Sequence, residues 1–262
     1  MVPDGSGRFP QARPATARGF PHGRHAVLLA SRSGDGADAR PANVGRVTRA
    51  ETDPIPPDPV PPDAVGVGPW DGPWPEDPRY DPELLATGDR RNVVDRYRYW
   101  TVEAIVADLD TRRHPFHVAI ENWRHDLNIG TVVRTANAFL AAEVHIVGRR
   151  RWNRRGAMVT DRYQHVRHHP DVAALLAWAR SDGLPLLAVD NLPGARPLET
   201  EPLPRACVLL FGQEGTGLSA EAHDAADGVL SIAQFGSTRS VNAGVAAGIA
   251  MHAWVRQHAD LD

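Results

Sequence analysis

Residues 125–139 read HDLNIGTVVRTANAF, a stretch that opens like a turn and continues like a helix with one apolar face. Asn128-Ile129-Gly130 punctuates the chain, and Val132, Val133, Ala136 and Phe139 then recur at helical spacing. Asn128 can cap such a helix, and Gly130 lets backbone or ligand approach closely. Positions 130, 134, 137 and 141 share one helical face, so Arg134 and Asn137 are expected to project together from the apolar side. Taken alone, Arg134 reads as a surface arginine whose stem lies on apolar neighbours.

On either side of this helix, placed over 129–141, lie FHVAIE (116–121) and EVHIVG (143–148), short apolar runs that read as strands. The alternation continues with a helix in DVAALLAWARS (171–181) and strands in LPLLAVD (184–190) and ACVLLFG (206–212). A short helix from about Ser219, a strand in GVLSIA (228–233) and a last helix from about Val241 to Gln257 complete it. Apolar runs separated by helices predict an α/β domain over 115–262: a parallel sheet with helices on both faces.

Upstream the texture differs. Sixteen of the 23 prolines fall within residues 1–82, including DPIPPDPVPPD at 53–63. Too few apolar residues stand there to offset the ordering entropy, so 1–88 reads as a disordered or extended leader, or in part as a mis-assigned translation start. Residues 89–114 carry apolar positions at 93, 94, 97, 102, 105, 106 and 109, which suits a short helical extension.

Composition sets limits. A net charge of −3 gives no global signal for a nucleic-acid partner, so any such reading rests on local clusters. The single cysteine, Cys207, excludes an intramolecular disulfide framework and, inside ACVLLFG, reads as a buried core residue. No apolar run reaches the length of a membrane span, and a soluble cytoplasmic protein is expected.

Ligands in such sheets collect beyond the carboxyl ends of the strands, and three unusual stretches fall there. The first is the one quoted above. In FGQEGTGLSAE (211–221) three glycines follow a strand and precede a helix, matching neither a phosphate loop nor the dinucleotide fingerprint. In SIAQFGSTRSVNAGVAAGIAMHAW (231–254), Ser240 and Asn242 open a helix with Gly244 and Gly248 on one face, and Ser240 reads as its cap. A fourth stretch, GRRRWNRRG, gathers Arg149, Arg150, Arg151, Arg154 and Arg155 around Trp152, a pattern suited to phosphate pairing and base stacking on RNA. His165, His168 and His169 have no cysteine and no carboxylate at ligand spacing, so no metal is expected.

Together these motifs resemble the SpoU-type branch of the SPOUT methyltransferases, which methylate ribose 2′-hydroxyls of RNA. The first motif stands here as Asn128, Gly130, Arg134, Thr135 and Ala136, and the second as Gly212, Glu214, Gly217, Leu218 and Ser219. The third runs from Ile232 to Ser240-Val241-Asn242. The resemblance implies a trefoil-knotted domain that binds S-adenosylmethionine (AdoMet) and works as a homodimer on RNA, ribosomal RNA being favoured over transfer RNA. It further implies that Gly212, Gly217, Leu218, Ile232 and Val241 line the cofactor pocket. Asn128, Arg134, Glu214, Ser240 and Asn242 would then form the catalytic surround. The alternative is an RNA-binding relative of the same fold that has lost catalysis. The chain departs from the family pattern at Leu140, where glycine is usual, and at Ala233-Gln234 and Val241.

Overall fold

The computed structural model describes residues 66–122, 128–213, 215 and 217–260. Ahead of the extension, helix α1 (Pro82–Thr87) is capped by Asp81, and within the extension α2 (Val102–Asp110) is capped by the Thr101 hydroxyl. The α/β body follows with β1 (Phe116–Asn122), α3 (Asn128–Ala138), β2 (Val144–Gly148), β3 (Val166–His169), α4 (Val172–Ser181) and β4 (Leu186–Val189). It ends with β5 (Arg196–Pro197), β6 (Cys207–Phe211), α5 (Ala220–Ala225), β7 (Gly228–Ser231) and α6 (Ala243–His258).

The seven strands form one sheet in the order β3-β2-β1-β6-β4-β7-β5, with every pairing parallel. Period-two alternation divides each central strand between two cores. Phe116, Val118, Ile120, Leu209 and Phe211 face α3 and α6, whereas Ala119, Val147, Val208 and Leu210 face α4 and α5. Trp254 on α6 anchors the first core: its ring lies 4.4 Å from that of Phe116, and its indole N–H donates to the carbonyls of Pro204 and Arg205. Cys207 is fully buried there, and burial pushes its thiol up to about 12.

The structure differs from the sequence reading in four places. First, residues 66–88, grouped above with the leader, are folded onto the extension. Trp70 sits edge-on to Tyr80 and Tyr99, the Tyr99 hydroxyl donates to the Gly68 carbonyl, and buried Asp89 is held by Arg91 and the Tyr99 amide. A few aromatic side chains supply the burial that the proline-rich composition concealed. The rest of the leader, 1–65, lies outside the described residues.

Second, β3 is a strand in a run rich in histidine, VRHH. It forms because its polar side chains find partners across the sheet: His117, His145 and His169 make a hydrogen-bonded chain with ring contacts of 3.1 and 2.9 Å. Trp178 of α4 stacks on His145 at 4.1 Å. Burial pushes His145 down to about 2 and His117 to about 4, so both rings are neutral at pH 7 and can be packed at little electrostatic cost. Third, β5 is a two-residue edge pairing with no apolar run to announce it.

Fourth, α6 begins at Ala243, and its cap is Asn242 in place of Ser240. The Asn242 Oδ1 accepts from the amides of Gly244 and Val245 at 2.9 and 3.2 Å.

Candidate active site

At the carboxyl ends of β4, β6 and β7, three loops enclose a cleft of about 710 Å3. Asp190, Asn191 and Leu192 follow β4; Gly212, Gln213, Gly215 and Gly217 follow β6; Ile232 and Gln234 follow β7. Arg239, Ser240, Val241 and Asn242, leading into α6, close the far side. The volume falls within the range of about 300–1,000 Å3 usual for small-molecule sites.

The glycine loop is shaped by close backbone approach. A Cβ on Gly212 would lie 2.1 Å from the Gly217 carbonyl carbon and 2.2 Å from the Leu218 nitrogen, so position 212 has no room for a side chain. Gly217 has φ +69, and its amide donates back to the Gln213 carbonyl at 3.1 Å. Glu214 lies outside the described residues.

Acidic and amide side chains fix this loop from outside. The Asp190 carboxylate accepts from the Leu218 and Asn191 amides. Fully buried Glu121, at the end of β1, accepts from both the amide and the hydroxyl of Ser219 at 2.8 and 2.7 Å. Asn191 accepts from the Ile232 amide at 3.2 Å, joining the ends of β4 and β7. The sequence reading missed Glu121, Asp190 and Asn191. All three stand at or just beyond the carboxyl end of a strand, the position that marks ligand-shaping residues in such sheets.

Asn242 links two of the three motifs. While its Oδ1 caps α6, its Nδ2 donates to the Asn128 Oδ1 at 2.9 Å, tying the first turn of α3 to the cleft wall. Asn128 is the first residue of α3 and is buried. The helices pack closely behind it: a Cβ on Gly244 would meet the Thr131 methyl at 3.3 Å.

Of the expected pocket residues, Gly212, Gly217, Ile232 and Val241 line the cleft, and Leu218 stands behind it through its bond to Asp190. Ser240 and Asn242 also line it. Arg134 does not. It is exposed on α3, whose buried stripe is Ile129, Gly130, Val132, Val133 and Ala136. Four helical residues turn through about 400°, which carries Arg134 past the face that buries Gly130. Asn137, expected to share its direction, is partly buried.

The arginine loop forms a separate feature at the ends of β2 and β3. Arg149, Arg150, Arg151, Arg154 and Arg155 are exposed, Trp152 is half-buried, and Asn122 holds the loop through the carbonyls of Arg149 and Arg151. Its 3-10 turn Arg154–Ala157 lies directly on α3, where a Cβ on Gly130 would come within 2.7 Å of Gly156 and Ala157 backbone. Among the described residues, the close group of potential metal donors is not made of the histidines considered in the sequence. Ligand atoms of His117, Glu143 and His145 lie within 4.8 Å of one another, with Arg167 paired to Glu143.

A SpoU rRNA Methylase family model matches residues 115–252, more than half of the 262-residue chain and all three motifs. The chain belongs to that family. A tRNA (guanosine(18)-2′-O)-methyltransferase of Escherichia coli (strain K12) is 28% identical over 158 residues, 59% of this chain and 69% of that protein. An uncharacterized tRNA/rRNA methyltransferase of Mycolicibacterium vanbaalenii is 31% identical over 202 residues, 70% of this chain and 61% of the other. Among solved structures, the SpoU methyltransferase AviRb from Streptomyces viridochromogenes in complex with AdoMet aligns with a TM-score of 0.51. That alignment has 25% identity and covers 57% of this chain and 60% of AviRb. The chain thus spans less than two thirds of the last two proteins.

Leu140, just after α3, holds φ +55, the left-handed region that glycine adopts without strain and other residues rarely enter. Among the described residues no helix is long and apolar enough to cross a membrane.

Proposed function

We propose that this chain transfers a methyl group from AdoMet to a ribose 2′-hydroxyl of a stable cytoplasmic RNA. The observation that carries the reading is the convergence of the second and third motifs on one cleft, with the first tied to its wall through Asn128 and Asn242. The cleft suits AdoMet in kind. Gly212 and Gly217 leave backbone open where side chains would intrude, Leu192, Ile232, Val241 and Ala246 offer apolar contact, and Arg239 supplies a cation for a carboxylate. When bound, AdoMet supplies a sulfonium methyl: the new O–C bond forms as the S–C bond breaks, and the hydroxyl proton leaves to solvent or a neighbouring group.

The chain's own part is to hold the acceptor in line and to stabilise the developing alkoxide. Alignment of this kind is worth on the order of 7–11 kcal/mol. A guanidinium stays protonated at neutral pH and is a poor proton acceptor. Arg134 is therefore assigned to gripping the phosphate beside the target ribose and holding charge. Ser240 and Asn242 are assigned to shaping the acceptor side of the cleft, and Glu214 to the same surround by its place in the second motif.

Because Arg134 does not line the cleft of its own chain, we assign it to the cleft of a second copy in a homodimer. Val245 and Ile249, one turn apart on α6, are 53% and 39% exposed and form an apolar strip on that helix, which packs on α3. Such a strip beside a small-residue helix pair suits an isologous two-fold contact. The knot that the family resemblance implies belongs to the same proposal. Ile249→Glu is expected to convert dimer to monomer in sedimentation and to remove methyl transfer, while a variant that stays dimeric and active would reject the interface.

The reaction is tested by incubating the full chain with methyl-labelled AdoMet and total cellular RNA, then mapping 2′-O-methyl nucleotides. Both ribosomal and transfer RNA belong in the assay, since the family description names the first and the E. coli relative acts on the second. One labelled ribose in one RNA is the expected result. Label on a base, or on no RNA, overturns the reading.

A further inference from the structure

A second cavity, of about 340 Å3, opens beside the arginine loop between the ends of β2 and β3. At the low end of ligand-pocket volumes, it has room for one nucleotide and not for a duplex. Arg150, Trp152, Arg154, Asp161 and His168 supply its chemistry. The Trp152 ring packs by one side against the main core, and the Arg154 guanidinium stands over it at 5.6 Å. Arg154 also meets Asp161 at 3.3 Å; the Asp161 side chain is 13% exposed and that of Arg154 74%, so the guanidinium end is open to a phosphate from solvent.

Gln164 is spent as wall, donating to the Ala141 carbonyl and accepting from Arg113. His168 Nε2 lies 2.7 Å from the Gly148 carbonyl, which can only accept, so Nε2 carries a proton and Nδ1 accepts whenever the ring is neutral. The cavity therefore combines cations, an aromatic face, and two acceptors in Asp161 and His168. Between Arg154 and Asp161 the backbone is strained: Met158 and Val159 hold φ +47 and +70, and valine is rarely found there. That turn brings Asp161 back to face the arginines.

Position supports a joint role with the cleft. Both openings lie on the α3 side of the sheet, since Ile146 here and Phe211 in the cleft belong to one core, and the arginine loop that borders this cavity leaves the carboxyl end of β2. They are separated by about three strand spacings, roughly 14 Å, a distance that a few nucleotides of single-stranded RNA can span. Resting on the RNA reading above, we propose that this cavity takes one unstacked nucleotide of the substrate close to the methylated one. Its base stacks at Trp152 with an amino-bearing edge toward Asp161 and His168, and its phosphate lies between Arg150 and Arg154.

The test uses the full chain with fluorescein-labelled octamers of riboadenylate and ribouridylate at low salt, alongside methyl transfer to the mapped RNA. Wild type is expected to prefer the adenylate octamer, because uracil has no amino group, and Asp161→Asn to lose that preference. Arg150→Ala with Arg154→Ala should lower the slope of log affinity against log salt by about 1.4 and raise KM for RNA, with AdoMet affinity unchanged. Trp152→Ala should weaken binding about tenfold or more, and Trp152→Phe, which keeps both packing and stacking, should restore it. If wild type methylates RNA and these variants keep its KM and its octamer preference, the subsite is wrong and the methyltransferase reading stands. A wild type that methylates no RNA overturns both.

Discussion

Arg134→Ala is expected to lower kcat for RNA methylation by about 10²–10³, the usual loss when a positioned electrostatic stabiliser is removed. AdoMet affinity and melting temperature should stay at wild-type values, because Arg134 is exposed on α3 and lines no part of its own chain's cleft. Exposed substitutions of this kind usually alter stability by less than about 0.5 kcal/mol. Arg134→Lys separates charge-holding from proton abstraction. Lysine keeps the charge but loses the bidentate grip, so partial activity with an unshifted pH profile is expected. A basic limb displaced toward the lysine pKa would show instead that residue 134 takes the proton.

Gly212→Ala is expected to abolish AdoMet binding and to destabilise the fold. The new methyl carbon would stand 2.1 Å from Gly217 backbone, and neither segment can yield: Gly217 and Leu218 are held by Gln213 and Asp190. Overpacking against backbone costs about 3 kcal/mol, which for a domain of this size lowers Tm by about 6–12 °C. Thermal unfolding with and without AdoMet checks both parts: the variant should melt lower and gain no stabilisation from the ligand. A variant that still binds AdoMet normally would mean that the glycine loop is not the cofactor site.

Combined, the two variants test where Arg134 acts. Subunits carrying Arg134→Ala, mixed with subunits carrying Gly212→Ala, form heterodimers with one intact cleft facing a native Arg134 from the other copy. If Arg134 serves the partner, mixing restores activity to about a quarter of wild type, since half the dimers are mixed and each has one working site. If Arg134 serves its own chain, mixing restores nothing.

Much of this protein was legible in the sequence because local periodicity reflects local burial. Strands β1, β2, β4 and β6 are apolar runs because both sheet faces are covered, and Cys207 is buried as its company implied. Gly212, Gly217, Ile232, Ser240, Val241 and Asn242 meet at one cleft because the carboxyl ends of parallel strands form one edge, so strand assignment nearly suffices to place them. The folded part of 66–88 escaped notice because a handful of aromatic contacts outweighed a proline-rich composition. Strand β3 escaped because its histidines are stabilised by hydrogen bonds across the sheet, which no pattern within four residues can signal.

Tertiary structure alone decided the rest. It made Asn242 the cap of α6 and its tie to Asn128, a bond between residues 114 positions apart. It showed why position 212 must be glycine: the obstacle is the backbone of Gly217 and Leu218, folded back upon it. It also turned Arg134 outward, away from its own cleft, although the sequence had set it among apolar neighbours. Sequence determines which residues a strand or helix will bury, because that depends on spacing along the chain. Which residues share a site depends on contacts between distant segments, and those exist only once the sheet has brought the segments together.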